Sequence, residues 1–236
     1  MTTTSTEMPK IIEAFEAGTG IYSIAETAFY TRLHPKTIRA WFFREDTPPR
    51  FRRPSLTFEG VPLLSFTDFV EAIYVSELRS RFRISFPRIR TAIDTARKLK
   101  GVEHPFAHPD FRTVIIGKSI HIQERDSPEV LTSLAPDSGQ TSDKVILQDF
   151  IDALEFDDDD VAKLYVAYVS EGERVVAARD YNLGVPMLES CGYTAQTLYD
   201  AAAVEGGAQK AADAYGVEFK TVKVAIDYLN SLQRAA

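Results

Sequence analysis

Apolar residues in this 236-residue chain recur mostly at helical spacing, so the fold class it predicts is mainly α with small β hairpins. The expected order is a winged helix-turn-helix unit followed by a second small helical unit, itself helix-turn-helix-like. Three observations carry that prediction. Residues 22–41 spell two short capped helices joined by a tight turn. Apolar pairs around Glu59-Gly60 and around Gly117-Lys118 mark hairpins. Near the C-terminus, helical apolar stripes are punctuated by Gly206-Gly207 and Gly216.

In the first helix Ser23 and Glu26 stand three apart, the spacing at which each side chain satisfies an orphan N–H of the other's backbone. His34-Pro35 restarts a helix, because proline's missing N–H costs nothing at the first helical position. Ile24, Ala28, Leu33, Ile38 and Trp41 form the apolar set that joins the two helices. Lys36, Thr37, Arg39 and Ala40 are left outward near the start of the second helix, the part that enters a major groove in a helix-turn-helix. Lys36, Thr37, Arg39 and Trp41 are therefore candidate DNA-binding residues. The prolines of Thr47-Pro48-Pro49-Arg50-Phe51-Arg52-Arg53-Pro54 forbid a further helix, and Leu56–Phe58 with Pro62–Leu64 reads as a small wing. Arg44, Arg50, Arg52 and Arg53 lie at its base as candidate phosphate contacts.

Ser65 and Asp68 open a helix with the stripe Phe66, Phe69, Val70, Ile73, Tyr74 and Leu78. Ser85-Phe86-Pro87 opens the next, with Ile89, Ala92, Ile93, Ala96 and Leu99 inward and a stop at Gly101. Tyr74 and Leu78 are candidate dimer-face positions, and these two helices are the expected homodimer contact. Val114–Ile122 reads as a hairpin. Ser127–Ser142 is rich in Ser, Pro, Gly, Asp and Thr and reads as a linker with one helical turn at Glu129–Leu134. A helix is expected over 145–154, and another from Val161, with Asp157–Asp160 complementing its dipole. Tyr165–Val169 and Val175–Ala177 read as short strands. Helices follow at Thr194–Val204 and Ala208–Tyr215, and a third is lined by Phe219, Val222, Ala225, Ile226 and Leu229. The expected organisation is an arm over 1–20, a DNA-binding domain over 21–125, a linker over 126–143 and a protein-binding domain over 144–236.

Charge divides along the same line. The chain carries a formal −7, yet residues 21–100 hold 15 Lys+Arg against 8 Asp+Glu, and residues 101–236 hold 11 against 23. A basic part that neutralises phosphates joined to an acidic part with another task is the pattern implied. The single Cys191 excludes an intrachain disulfide and a multi-cysteine zinc site. His104 and His108 flank prolines rather than sharing a helix face, His121 stands apart, and no metal site is expected. Asp157–Asp160 lacks the alternating ligands, glycine and closing glutamate of a calcium loop. With no nucleophile elbow and no Gly-rich phosphate loop, no catalytic residue and no cofactor is expected, and the protein reads as no enzyme. Met1–Glu7 lacks a secretory pattern and there is no run of eighteen apolar residues, so a cytoplasmic protein is expected.

The order of motifs resembles a bacterial antitoxin family that joins a MerR-like helix-turn-helix to a C-terminal domain of unknown function numbered 433. The residues that carry the resemblance are Tyr22–Glu26, Thr37–Trp41, Leu64-Ser65-Phe66, His104-Pro105-Phe106, Gly184-Val185-Pro186 and Ala211–Val217. After the Gly-Pro step this chain reads Glu189-Ser190-Cys191-Gly192, where such proteins usually carry Gly-Thr-Arg or Gly-Thr-Gly. Members are similar to VapB-type antitoxins, which pair with PIN-domain ribonuclease toxins encoded beside them. The resemblance implies an antitoxin that binds such a toxin and represses its own operon by binding double-stranded DNA at its promoter. Gly184, Pro186, Tyr193 and Tyr215 are the candidate protein-binding residues. The alternative is a MerR-like transcription regulator whose C-terminal half senses a small molecule.

Overall fold

Local capping fixes the first elements. The computed structural model describes residues 20–43, 56–58, 61–102, 104–124, 127–135, 144–146 and 148–233. Helix α1 (Ile24–Thr31) starts in a complete capping box: the Ser23 N–H donates to Glu26 Oε2 at 2.8 Å and the Glu26 N–H to Ser23 Oγ at 3.1 Å. It stops at Arg32, left-handed at φ 56°, whose N–H closes on the carbonyls of Ala28 and Phe29. Helix α2 (Pro35–Phe42) has proline at its start, with His34 Nδ1 accepting from the Lys36 N–H at 3.1 Å. Strands β2 (Leu56–Phe58) and β3 (Val61–Ser65) pair as a hairpin, and β1 (Ile21–Tyr22) joins the other edge of β3. Ser65 and Asp68 form a second capping box at the head of α3 (Phe66–Ser80). Helix α4 (Phe86–Lys100) ends on Gly101 at φ 67°.

Beyond Gly101 the expectation of a mainly helical chain is overturned. The chain is α/β: among the described residues eight α-helices accompany eleven strands in three antiparallel sheets. The second sheet runs in the order β6-β5-β4-β7, built from β4 (Phe111–Ile116), β5 (Ser119–Glu124), β6 (Ser127–Ala135) and β7 (Lys144–Ile146). So the segment read as a linker with one helical turn contains β6, which pairs along β5 and buries Leu134 and Ala135. The helix expected over 145–154 shrinks to α5 (Gln148–Asp152) between β7 and β8 (Leu154–Phe156). In the third sheet β8, β9 (Ala162–Ser170), β10 (Glu173–Ala178) and β11 (Met187–Leu188) follow the order β11-β10-β9-β8. The helix expected from Val161 is therefore strand β9. Asp157 caps the turn before it instead, its Oδ1 accepting from the N–H groups of Asp159 and Val161 at 3.0 and 2.9 Å. Helices α6 (Ala195–Glu205), α7 (Ala208–Tyr215) and α8 (Phe219–Gln233) lie where the apolar stripes place them. They pack on β10 and β11 through Val175 and Leu188, so the second unit is helices on a sheet rather than a small helical bundle.

Two apolar cores result. One gathers α1 to α4 with the second sheet and also takes in Phe150, Leu154, Ala162 and Ala177, from the far side of the expected linker. The buried residues of the other all fall within Val175–Leu232, and Tyr30 of α1 packs against it. Tyr74 and Leu78 belong to the first core: Tyr74 stacks on Phe106 at 4.5 Å and meets Phe150 edge-on at 4.7 Å. They are interior, not the surface of a dimer face. Leu99, expected inward, is exposed. The two halves are tied directly by hydrogen bonds. The Gly20 N–H donates to the Arg179 carbonyl at 3.0 Å, and the buried Tyr22 hydroxyl donates to the Gly184 carbonyl at 2.6 Å.

Candidate nucleic-acid interface

Helices α1 and α2 pack together on a buried face, with Thr27, Ala28 and Thr31 of α1 buried. Ile38, Trp41 and Phe42 are buried, and Trp41 stacks on Phe86 of α4 with ring centroids 5.0 Å apart. Such a stacked pair contributes about 0.5–1.5 kcal/mol beyond its buried area. Trp41, expected among the DNA-binding residues, is instead buried and anchors α2 from behind. The opposite face carries Lys36 and Arg39, both exposed, with Thr37 and Ala40 half-buried. Lys36 and Thr37 lie on the first turn of α2, where free N–H groups and the helix dipole favour an anion, and Arg39 lies in its last turn. The hairpin β2–β3 follows, as a wing would. Arg44, Arg50, Arg52 and Arg53 lie outside the described residues.

The far end of α1 is held by both halves of the chain. The Ser76 hydroxyl of α3 donates to the Thr31 carbonyl at 3.0 Å, and the Arg32 guanidinium donates to Ser231 Oγ of α8 at 3.2 Å. Between α1, α3, β9 and α8 lies a cavity of about 560 Å³. Its walls come from residues as far apart as Tyr30 and Leu232, a juxtaposition no local sequence pattern announces.

The four candidate protein-binding residues are dispersed in role. Gly184, at φ 83°, is buried against the Tyr22 ring, and Pro186 is buried beside it. Tyr193 is exposed and meets the half-buried Tyr215 edge-on at 5.2 Å. Of the four, this tyrosine pair faces outward, with the exposed Tyr181 beside the neighbouring Gly192. Acidic surface collects elsewhere. Asp158, Asp159 and Asp160 are exposed on one turn, while four cations of this half are engaged: Arg174 with Glu155 and Glu189, Arg179 with Asp157 and Asp180, Lys220 with Glu173 and Glu218, and Lys223 with Glu171. His108, Asp110 and Asp160 each bring one ligand atom within 4.8 Å of the others, but Asp110 and Asp160 are exposed, an arrangement surface acids adopt without an ion. Burial pushes the Cys191 thiol up, away from the reactive thiolate.

No family model and no curated protein sequence matches the chain. It is similar to the crystal structure of Rv2018 from Mycobacterium tuberculosis, with 20% identity and a TM-score of 0.60, over 87% of this chain and 96% of that one. The likeness is one of fold, and at that coverage it extends over both halves. Among the described residues no helix is long and apolar enough to cross a membrane.

Proposed function

We propose that this protein is an autoregulating antitoxin: it binds double-stranded DNA at its own promoter through α1 and α2, and its acidic C-terminal half binds a ribonuclease toxin, in the first instance one of the PIN-domain class. The observation that carries the reading is the α1–α2 pair, capped at both helix starts and anchored by Trp41, with Lys36 and Arg39 free on the outer face. The excess negative charge of residues 101–236 suits a basic RNA-cleaving partner, since it steers association and competes for surface that would hold RNA phosphates. A cytoplasmic homodimer on paired half-sites completes the proposal, because one helix-turn-helix buries little surface.

Two measurements on the full chain test it. Gel-shift titration on the protein's own promoter should show binding whose sequence preference Lys36→Ala with Arg39→Ala changes, with a larger loss on the promoter than on unrelated duplex. Co-expression with the product of the adjacent gene should rescue growth and give a complex that co-purifies. Unaltered DNA binding in the double variant removes the interface assignment, and failure of rescue removes the toxin. A second reading, the regulator that senses a small molecule, is favoured by the cavity between α1 and α8. A metabolic or efflux gene next door, in place of a small ribonuclease, would support it.

A further inference from the structure

We propose that the cavity between α1, α3, β9 and α8 is a binding site for a small aromatic carboxylate, held jointly by the helix-turn-helix and the C-terminal unit. Its volume of about 560 Å³ lies within the range of pockets that enclose drug-sized ligands. The walls are of two kinds. Phe69, Ile73 and Leu232 offer apolar surface. Tyr30, Tyr165 and Tyr228 add aromatic faces, and among the described residues none of their hydroxyls has a hydrogen-bond partner.

Tyr228 is only 3% exposed, and what remains accessible includes its hydroxyl. Three hydroxyls thus line one cavity with no protein partner among the described residues. Burial pushes Tyr30 and Tyr165 up to about 12 and Tyr228 well above its ordinary value, so all three remain O–H donors at neutral pH. A ligand that fits must accept hydrogen bonds as well as cover apolar surface.

The charge of the lining selects an acid. Arg32 and Arg79 contribute two cations against the single Glu77. Among the described residues Arg79 has no ion pair, and Arg32 donates only to the neutral Ser231. A guanidinium gains more from a carboxylate than from a hydroxyl, because the charged hydrogen bond is the stronger. Arg32 is also the C-cap of α1, so an acid held there would sit on the turn that aims α2. The site would serve an antitoxin as well as the regulator of the second reading, and its existence depends on neither.

Calorimetric titration of the full-length protein, with no DNA and no partner present, tests the proposal. The probes are indole-3-acetate, the neutral indole-3-acetamide and the cationic tryptamine. Saturable one-to-one binding is expected in the order acid, amide, amine. Arg32→Gln and Tyr228→Phe should each weaken the acid about tenfold, the worth of one hydrogen bond to a charged group. Ala167→Trp, which fills the void from β9, should abolish binding. The exposed Arg32→Gln keeps the test intact if a cavity-filling variant fails to fold. Absence of saturation, an amine that binds as tightly as the acid, or wild-type affinity in Arg32→Gln would each overturn the proposal.

Discussion

Replacing Gly184 with alanine should cost this protein far more than a surface turn normally does. Gly184 sits at φ 83°, and a Cβ there would lie 2.2 Å from the Tyr22 hydroxyl oxygen and 2.7 Å from its ring carbon. The left-handed backbone alone costs an alanine about 1 kcal/mol. Tyr22 cannot swing aside easily, being 1% exposed and stacked on Phe69 at 4.1 Å. Overpacking against such a neighbour adds about 1–3 kcal/mol. The hydrogen bond from Tyr22 to the Gly184 carbonyl is displaced as well, worth about 1 kcal/mol. Together these give a loss of about 3–5 kcal/mol, and at roughly 2–4 °C per kcal/mol a fall in Tm of about 6–20 °C. Urea and thermal unfolding of Gly184→Ala, Tyr22→Phe and the double variant measure it. Tyr22→Phe alone should lose about 1–2 kcal/mol. The double variant should lose less than the sum, because both changes act on one contact. A loss below about 1 kcal/mol in Gly184→Ala, or strict additivity, would refute the reasoning. If Gly184 served only to meet a partner, complex formation would weaken while stability held.

Two further outcomes follow from other parts of the molecule. The Asp157 carboxyl is held below its ordinary value first by the Val161 N–H, then by Arg179 at 2.9 Å. A depressed carboxylate stabilises the fold above its unfolded value and loses that effect as the pH falls through the folded one. Asp157→Asn should therefore destabilise the protein at neutral pH, and the difference in Tm from the wild type should fade as the pH drops below 3.8. A fragment of residues 1–143 lacks Phe150, Leu154, Ala162 and Ala177 of the first core. Calorimetry should show no cooperative transition for it, and a sharp one would mean that the first core closes without them.

Elements whose cause is local were legible in the sequence. Ser23 with Glu26, Ser65 with Asp68, Pro35 and Gly101 each act within one turn, and each marks a helix end in the structure. The three closing helices are set off by Gly206-Gly207 and Gly216 in the same way. What escaped depends on partners far along the chain. Ser127–Ala135 is polar enough to read as linker, and it becomes a strand only because β5 offers it a ladder. Asp157 offers the same oxygens to a helix start or to a turn, and the β9–β10 pairing decides between them. Of the candidate interface, the α2 face was legible from spacing. The Arg32–Ser231 contact and the cavity beside it, made by residues 199 apart, were not.

The hydrogen bond from Tyr22 to Gly184 spans 162 residues, and it sets a clock on the newborn chain. At about 5–20 residues per second the ribosome delivers Gly184 roughly 8–32 s after Tyr22. For most of that interval the segment bearing Lys36 and Arg39 has been made while the carbonyl that fixes its first strand has not. A contact of such sequence separation also forms late for entropic reasons. The proposed DNA-reading surface is therefore finished only after residue 184 has been made, so its maturity reports that synthesis has passed well into the C-terminal half.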